Sequence, residues 1–138
     1  MDFKIILFIV FILLIGIGLF ALLTLKQKTI VLNKEKYRSL WLEIENGLIP
    51  DQQQSFQMTV LNADKLLGQA LEELGVRGTT MGERMKTFGS GFSNQNQIWQ
   101  AHKIRNKIAH EANVQLNFKQ VQALLKCFKQ ALKDVGAI

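Results

Sequence analysis

The apolar residues of this chain form one unbroken run, followed by several periodic stretches. From Ile5 to Leu25 the run IILFIVFILLIGIGLFALLTL carries no charge, and Thr24 is its only polar side chain. At about 1.5 Å per residue a helix of that length reaches about 30 Å, the thickness of a bilayer's hydrocarbon core. After a basic linker, Tyr37, Leu40, Trp41 and Ile44 recur at i, i+3, i+4 and i+7, which predicts a short amphipathic helix capped by Asn33. Asn46 and Gly47 stop it, and Pro50 is placed to start the next one.

From Asp51 to Leu74 a single stripe of Phe56, Val60, Ala63, Leu67, Ala70 or Leu71, and Leu74 predicts a long helix ended by Gly75. Asp64 lies within it and reads as a solvated or salt-bridged carboxylate, since no second carboxylate is spaced to join it. The following stretch, GVRGTTMGERMKTFGSGFSN, reads as a loop holding one short helix, with Thr80 and Glu83 forming a capping box. Its glycines fit neither G-x-x-x-x-G-K-[ST] nor G-x-G-x-x-G, so no phosphate cradle is expected there.

Ser93 or Asn94 can cap a third long helix carrying Ile98, Ala101, Ile104, Ile108 and Ala112 inward and ending near Asn113. The last helix is signposted by Asn117 as cap, Gln120 as its capping-box partner, and Leu116 with Val121 as a hydrophobic staple. Phe118, Val121, Leu125, Phe128, Leu132 and Val135 make its inner face, and Gly136 closes it. The expected fold class is therefore all-α: an antiparallel bundle of four to five helices preceded by one transmembrane helix. Its expected organisation is an N-terminal flank at 1–4, a membrane span at 5–25, a linker with a short amphipathic helix at 26–50, and the bundle at 51–138.

Composition refines this picture in two places. The net charge is +6, and from Asp51 onward eleven Lys and Arg face seven Asp and Glu, a mild excess suited to an anionic partner such as RNA or lipid headgroups. The single Cys127 excludes an internal disulfide framework and fits a reducing compartment. The apolar run is longer than the core of a signal peptide and is followed by no A-x-A-like site, so it reads as an uncleaved anchor. Lys26, Lys28, Lys34, Lys36 and Arg38 follow it, against Asp2 and Lys4 before it. The positive-inside rule then places the N-terminus outside and the C-terminal domain in the cytoplasm of a single-pass membrane protein.

The candidate chemistry sits on the third long helix, in HKIRNKIAHE, which holds both histidines of the chain. On a helical wheel His102, Asn106, His110 and Trp99 form a polar stripe turned outward beside the core stripe of Ile104 and Ile108, with Arg105 at its edge. Arg holds a phosphate with a planar fork, and His exchanges protons near neutral pH. Cleavage of RNA needs those roles, to activate the 2′-hydroxyl, steady the phosphorane charge and protonate the leaving 5′-oxygen. It requires no cofactor and no metal, and His102 and His110, two turns apart, lack a third ligand for zinc.

Arg105 to His110, RNKIAH, matches the R-N-x-x-x-H form of the R-x(4–6)-H signature, and the region from Asp51 to Val135 resembles the HEPN superfamily. The resemblance implies a small helical bundle of the kind found in metal-independent endoribonucleases of the toxin or defence type, some of them membrane-anchored. It implies Arg105 and His110 as the catalytic pair, with His102, Asn106 and Trp99 binding or orienting RNA, in a composite site that needs a homodimer. Several HEPN-like domains are instead inactive scaffolds, which makes the alternative expectation an interaction module holding an unknown protein partner at the cytoplasmic membrane face. A plain basic nucleic-acid binder is a third expectation.

Overall fold

The computed structural model describes residues 3–25 and 30–138, with the backbone alone for 22–25. Asp2, Lys26 and Lys28, which entered the orientation argument, lie outside the described residues. Helix α1 runs from Phe3 to Leu25, α2 from Lys34 to Asn46, α3 from Gln53 to Glu73, α4 from Met81 to Phe88, α5 from Gln95 to His110 and α6 from Phe118 to Asp134. A 3-10 turn at Gly89–Gly91 joins α4 to the approach to α5. Among the described residues every regular element is helical.

Within α1 the segment Phe3–Ala21 is long and apolar enough to cross a membrane, and none of it is buried in the protein. An apolar helix that meets no protein core needs another apolar medium, because in water every side chain along it exposes hydrocarbon.

Helix α3 is the centre of the bundle: α2, α4, α5 and α6 all pack on it, and α5 also packs on α6. After Phe56 its buried positions come in adjacent pairs, Thr59 with Val60, Ala63 with Asp64, Leu66 with Leu67 and Ala70 with Leu71. Two adjacent residues per turn widen the stripe enough to meet neighbours on both sides. Tyr37, Trp41 and Ile44 of α2 join the same buried cluster as Phe128 and Leu132 of α6, so the core begins at Leu32. Helix α2 is thus docked on the bundle. Tyr37 Oη donates to Glu73 Oε2 at 2.7 Å, and Lys36 Nζ donates to the same oxygen at 3.1 Å, fastening α2 to the end of α3.

The helix ends follow local chemistry. Both capping boxes form, Thr80 with Glu83 and Asn117 with Gln120. Gly75 and Gly136 have φ of +80° and +75° and terminate α3 and α6, each with the next residue's N–H reaching back to the carbonyl of Leu71 or Leu132.

Four details depart from the sequence expectation. Pro50 does not start α3, because Asp51 takes φ +65° and the helix begins at Gln53. Of the two cap candidates Asn94 takes the N-cap position of α5 but makes no side-chain cap hydrogen bond, while Ser93 donates its N–H and hydroxyl to Asp134 Oδ2, tying the loop to α6. Helix α5 stops at His110, three residues early, so Ala112 is off the helix. Gln53 and Gln57 explain that early stop: their side-chain amides donate to the carbonyls of Leu116 and Val114, and Leu116 N–H donates back to Gln53 Oε1. These bonds hold the segment after α5 extended against α3. Finally, Phe118 is exposed in the first turn of α6, with its ring 6.1 Å from that of the buried Phe56.

Candidate functional site on α5

The polar residues of α5 do not all face water. His102 is buried, 7% exposed, against α3, which corrects the expectation that it turns outward with Asn106 and His110. The reason is Asp64. This carboxylate stands at a core position of α3, in line with Val60, Leu67 and Leu71, and a charge there requires a partner.

His102 Nδ1 lies 2.7 Å from Asp64 Oδ1. Arg105 Nε lies 3.2 Å from Asp64 Oδ2, an ion pair in which the N–H misses hydrogen-bonding geometry. Arg105 Nη1 donates to Asn106 Oδ1 at 2.9 Å, and Asn106 Nδ2 is 3.2 Å from His102 Nε2. The four side chains form a closed ring.

The donor inventory assigns the protons. A guanidinium only donates, so the Asn106 atom facing Arg105 is its carbonyl oxygen and the atom facing His102 is its NH2. His102 Nε2 then accepts, which leaves the ring proton on Nδ1, donated to Asp64. Both nitrogens of His102 are engaged, so in this state the ring orients its neighbours and has no free position for proton exchange.

Beside the ring lies an open groove of about 430 Å³, lined by Thr80, Met81 and Gly82 of the α4 start and by Trp99, His102, Lys103, Arg105 and Asn106 of α5. Trp99 stands edge-on to His102, with ring centroids 6.1 Å apart. Opposite it Gly82 faces the Trp99 rim, and a Cβ there would stand 3.9 Å from the indole, an ordinary contact. Near the mouth, the backbone N–H and hydroxyl of Thr79 and the N–H of Thr80 hold the Glu83 carboxyl below its usual range.

Of the residues singled out from sequence, the structure brings Arg105, Asn106, His102 and Trp99 to this groove. It places His110 elsewhere: the last residue of α5, exposed, outside the groove lining, its side chain with no hydrogen bond or ion pair to any described residue. Of the two readings of Asp64 from sequence, solvated or salt-bridged, the structure has the salt-bridged one, and its burial, signalled by a charge in phase with a core stripe, makes it part of the site. Among the described residues no group of three or more His, Cys, Asp or Glu can hold a metal.

The fold and site define a class, a helical bundle with an apolar N-terminal helix and a buried Asp-His-Asn-Arg ring opening onto a groove. Comparison with protein-family models, curated proteins and solved structures gave no match.

Proposed function

We propose that this chain is a membrane-anchored HEPN-like domain, its bundle in the cytoplasm, that cleaves RNA without a metal through Arg105 and His110. The observation that carries the reading is the position of Arg105, braced by Asp64 and Asn106 at the wall of an open groove beside Trp99 and Lys103. A guanidinium fixed at its Nε edge keeps donors for a phosphate, and an indole at the rim offers a base a stacking surface. Arg105 steadies the charge on the phosphorane. His110 takes the proton of the attacking 2′-hydroxyl or returns one to the leaving 5′-oxygen. Because His110 lies outside the groove within one chain, a second copy completes the site. Asp64, His102 and Asn106 act through Arg105 as positioning residues.

A second reading has its own observation in its favour. Each of the four side chains is bound to another within the chain, as in a structural network that fastens α5 to α3. Under it the bundle is a scaffold for a protein partner at the membrane face.

The experiment that separates the two uses the full chain in neutral detergent with single-stranded RNA and EDTA. Cleavage abolished by His110→Ala and by Arg105→Ala supports the enzyme; identical behaviour of wild type and variants supports the scaffold.

A further inference from the structure

We propose that the furrow between α2 and α6 binds the anionic headgroup of a phospholipid in the bilayer that α1 enters, and so selects the face the bundle turns to the membrane. The proposal rests on the reading of α1 as an anchor and is independent of whether the α5 groove cuts RNA.

Helices α2 and α6 each pack on α3 and leave a gap between them. Two adjoining grooves occupy it, of about 600 and 330 Å³, both lined by Glu45, Lys129 and Lys133. The floor is apolar, made by Trp41, Leu42, Leu48, Leu125 and Ile138, and Leu42 is 56% exposed. The walls are basic. Lys126, Lys129 and Lys133 follow one another at i, i+3 and i+7 along α6, and Arg38 faces them from α2.

Only one of these cations is spoken for. Lys129 Nζ donates to Glu45 Oε1 at 2.8 Å and stands 5.7 Å over the Trp41 ring, which builds the wall. Arg38, Lys126 and Lys133 are exposed and have no ion pair among the described residues. Trp41 Nε1 is buried without a partner in hydrogen-bonding geometry, although its nearness to Glu45 contributes to holding that carboxyl down. A buried N–H short of a well-aligned partner, beside three cations with no ion pair among the described residues, is a site for an acceptor oxygen.

Two arguments select a lipid over other anions. A hydrocarbon floor under a cationic rim matches a molecule with an anionic head and an apolar body, whereas a nucleic acid backbone needs the rim alone. The covalent chain also keeps the furrow close to the bilayer. Residues 26–33 are all that separate α1 from α2, so even fully extended they let α2 move only about 30 Å from the end of α1.

The test uses the full chain in nanodiscs of phosphatidylcholine alone or with phosphatidylglycerol, read by hydrogen exchange in α2 and α6 and by native mass spectrometry of retained lipid. The proposal requires slower exchange around Arg38–Glu45 and Leu125–Lys133 with phosphatidylglycerol, and its preferential retention. Arg38→Gln/Lys126→Gln/Lys133→Gln should lower that preference on the order of a hundredfold, from the usual gain per basic residue at an anionic surface. Lys65→Gln/Lys86→Gln/Lys119→Gln, with the same charge removed elsewhere, should keep it. Equal retention of both lipids by a chain that enters the nanodisc overturns the proposal and leaves the anchor standing. Equal loss in the control variant overturns it in favour of general charge attraction. Single-stranded RNA that displaces the lipid and protects the same peptides overturns it in favour of a nucleic-acid face. A chain that does not enter nanodiscs overturns the anchor and the proposal together.

Discussion

His102 Nδ1 and Asp64 Oδ1 meet at 2.7 Å, and this buried contact between α5 and α3 anchors the ring through which Asn106 and Arg105 are held at the α5 groove. Removing one member leaves the others charged or unpaired inside the bundle. Asp64→Ala is therefore expected to cost about 3–5 kcal/mol of folding stability, because the Arg105 guanidinium and the His102 N–H lose their acceptor. Asp64→Ala combined with His102→Ala should cost less than the sum of the two single changes, since the second removes a group the first had already stranded. Thermal unfolding followed by circular dichroism in detergent measures this cycle, and strict additivity would refute the ring as a coupled unit.

His110 offers the opposite case. It is exposed at the end of α5 and its side chain has no ion pair or hydrogen bond to any described residue, so His110→Ala should leave stability within about 0.5 kcal/mol of wild type. A loss of RNA cleavage in that variant at unchanged melting temperature would be chemical in origin. Arg105→Ala cannot be read so simply, because it also breaks the pair with Asp64. Arg105→Lys, which keeps the charge and loses the fork, is the better companion, and reduced cleavage with near-normal melting is expected.

Tyr37 is the chain's one tyrosine, which makes its ionisation visible by absorbance. Burial, and then its hydrogen bond to the Glu73 carboxylate and that carboxylate's charge, push the phenol well above its ordinary value. A group whose folded pKa is raised contributes stability that is complete below the unfolded value, about 10, and is lost as pH rises through the folded one. The tyrosinate signal should therefore appear only with alkaline unfolding, and Tyr37→Phe should flatten the alkaline loss of stability. At the other end of the scale, the Glu73 carboxyl is held low by the Tyr37 hydroxyl and then by Lys36. Its contribution is present above the usual carboxylate range and fades as pH falls through its depressed value. A normal tyrosinate titration in folded protein would contradict the buried hydrogen bond.

The start of α6 gives a local test. Asn117 Oδ1 accepts from Gln120 N–H at 2.8 Å, and Gln120 Oε1 accepts from Asn117 N–H at 2.9 Å. Asn117→Ala should cost about 1 kcal/mol, and Asn117→Ser or Asn117→Asp most of that less, by restoring the acceptor. Equal melting temperatures for the Ala and Ser variants would remove the cap from the account.

Local sequence determined the elements of this protein. The apolar run of α1, the capping residues Asn33, Thr80 and Asn117, and the terminating Gly75 and Gly136 act over a few residues of chain, so those residues place the starts of α2, α4 and α6 and the ends of α3 and α6, though not the start of α3 or the end of α5. Contacts between distant residues decided the rest. On a wheel Asp64 shows only as a charge in phase with the core stripe of α3; it becomes the pivot of the site because α5 packs on that face and brings His102 across a separation of 38 positions. His102 turns inward for the same reason, while His110, in the same ten-residue motif, stays in water because Gln53 and Gln57 seize the chain just beyond it. Helical spacing sets which residues share a face; which face is buried depends on what packs against it, and here that is settled by a carboxylate that needs a partner inside the core.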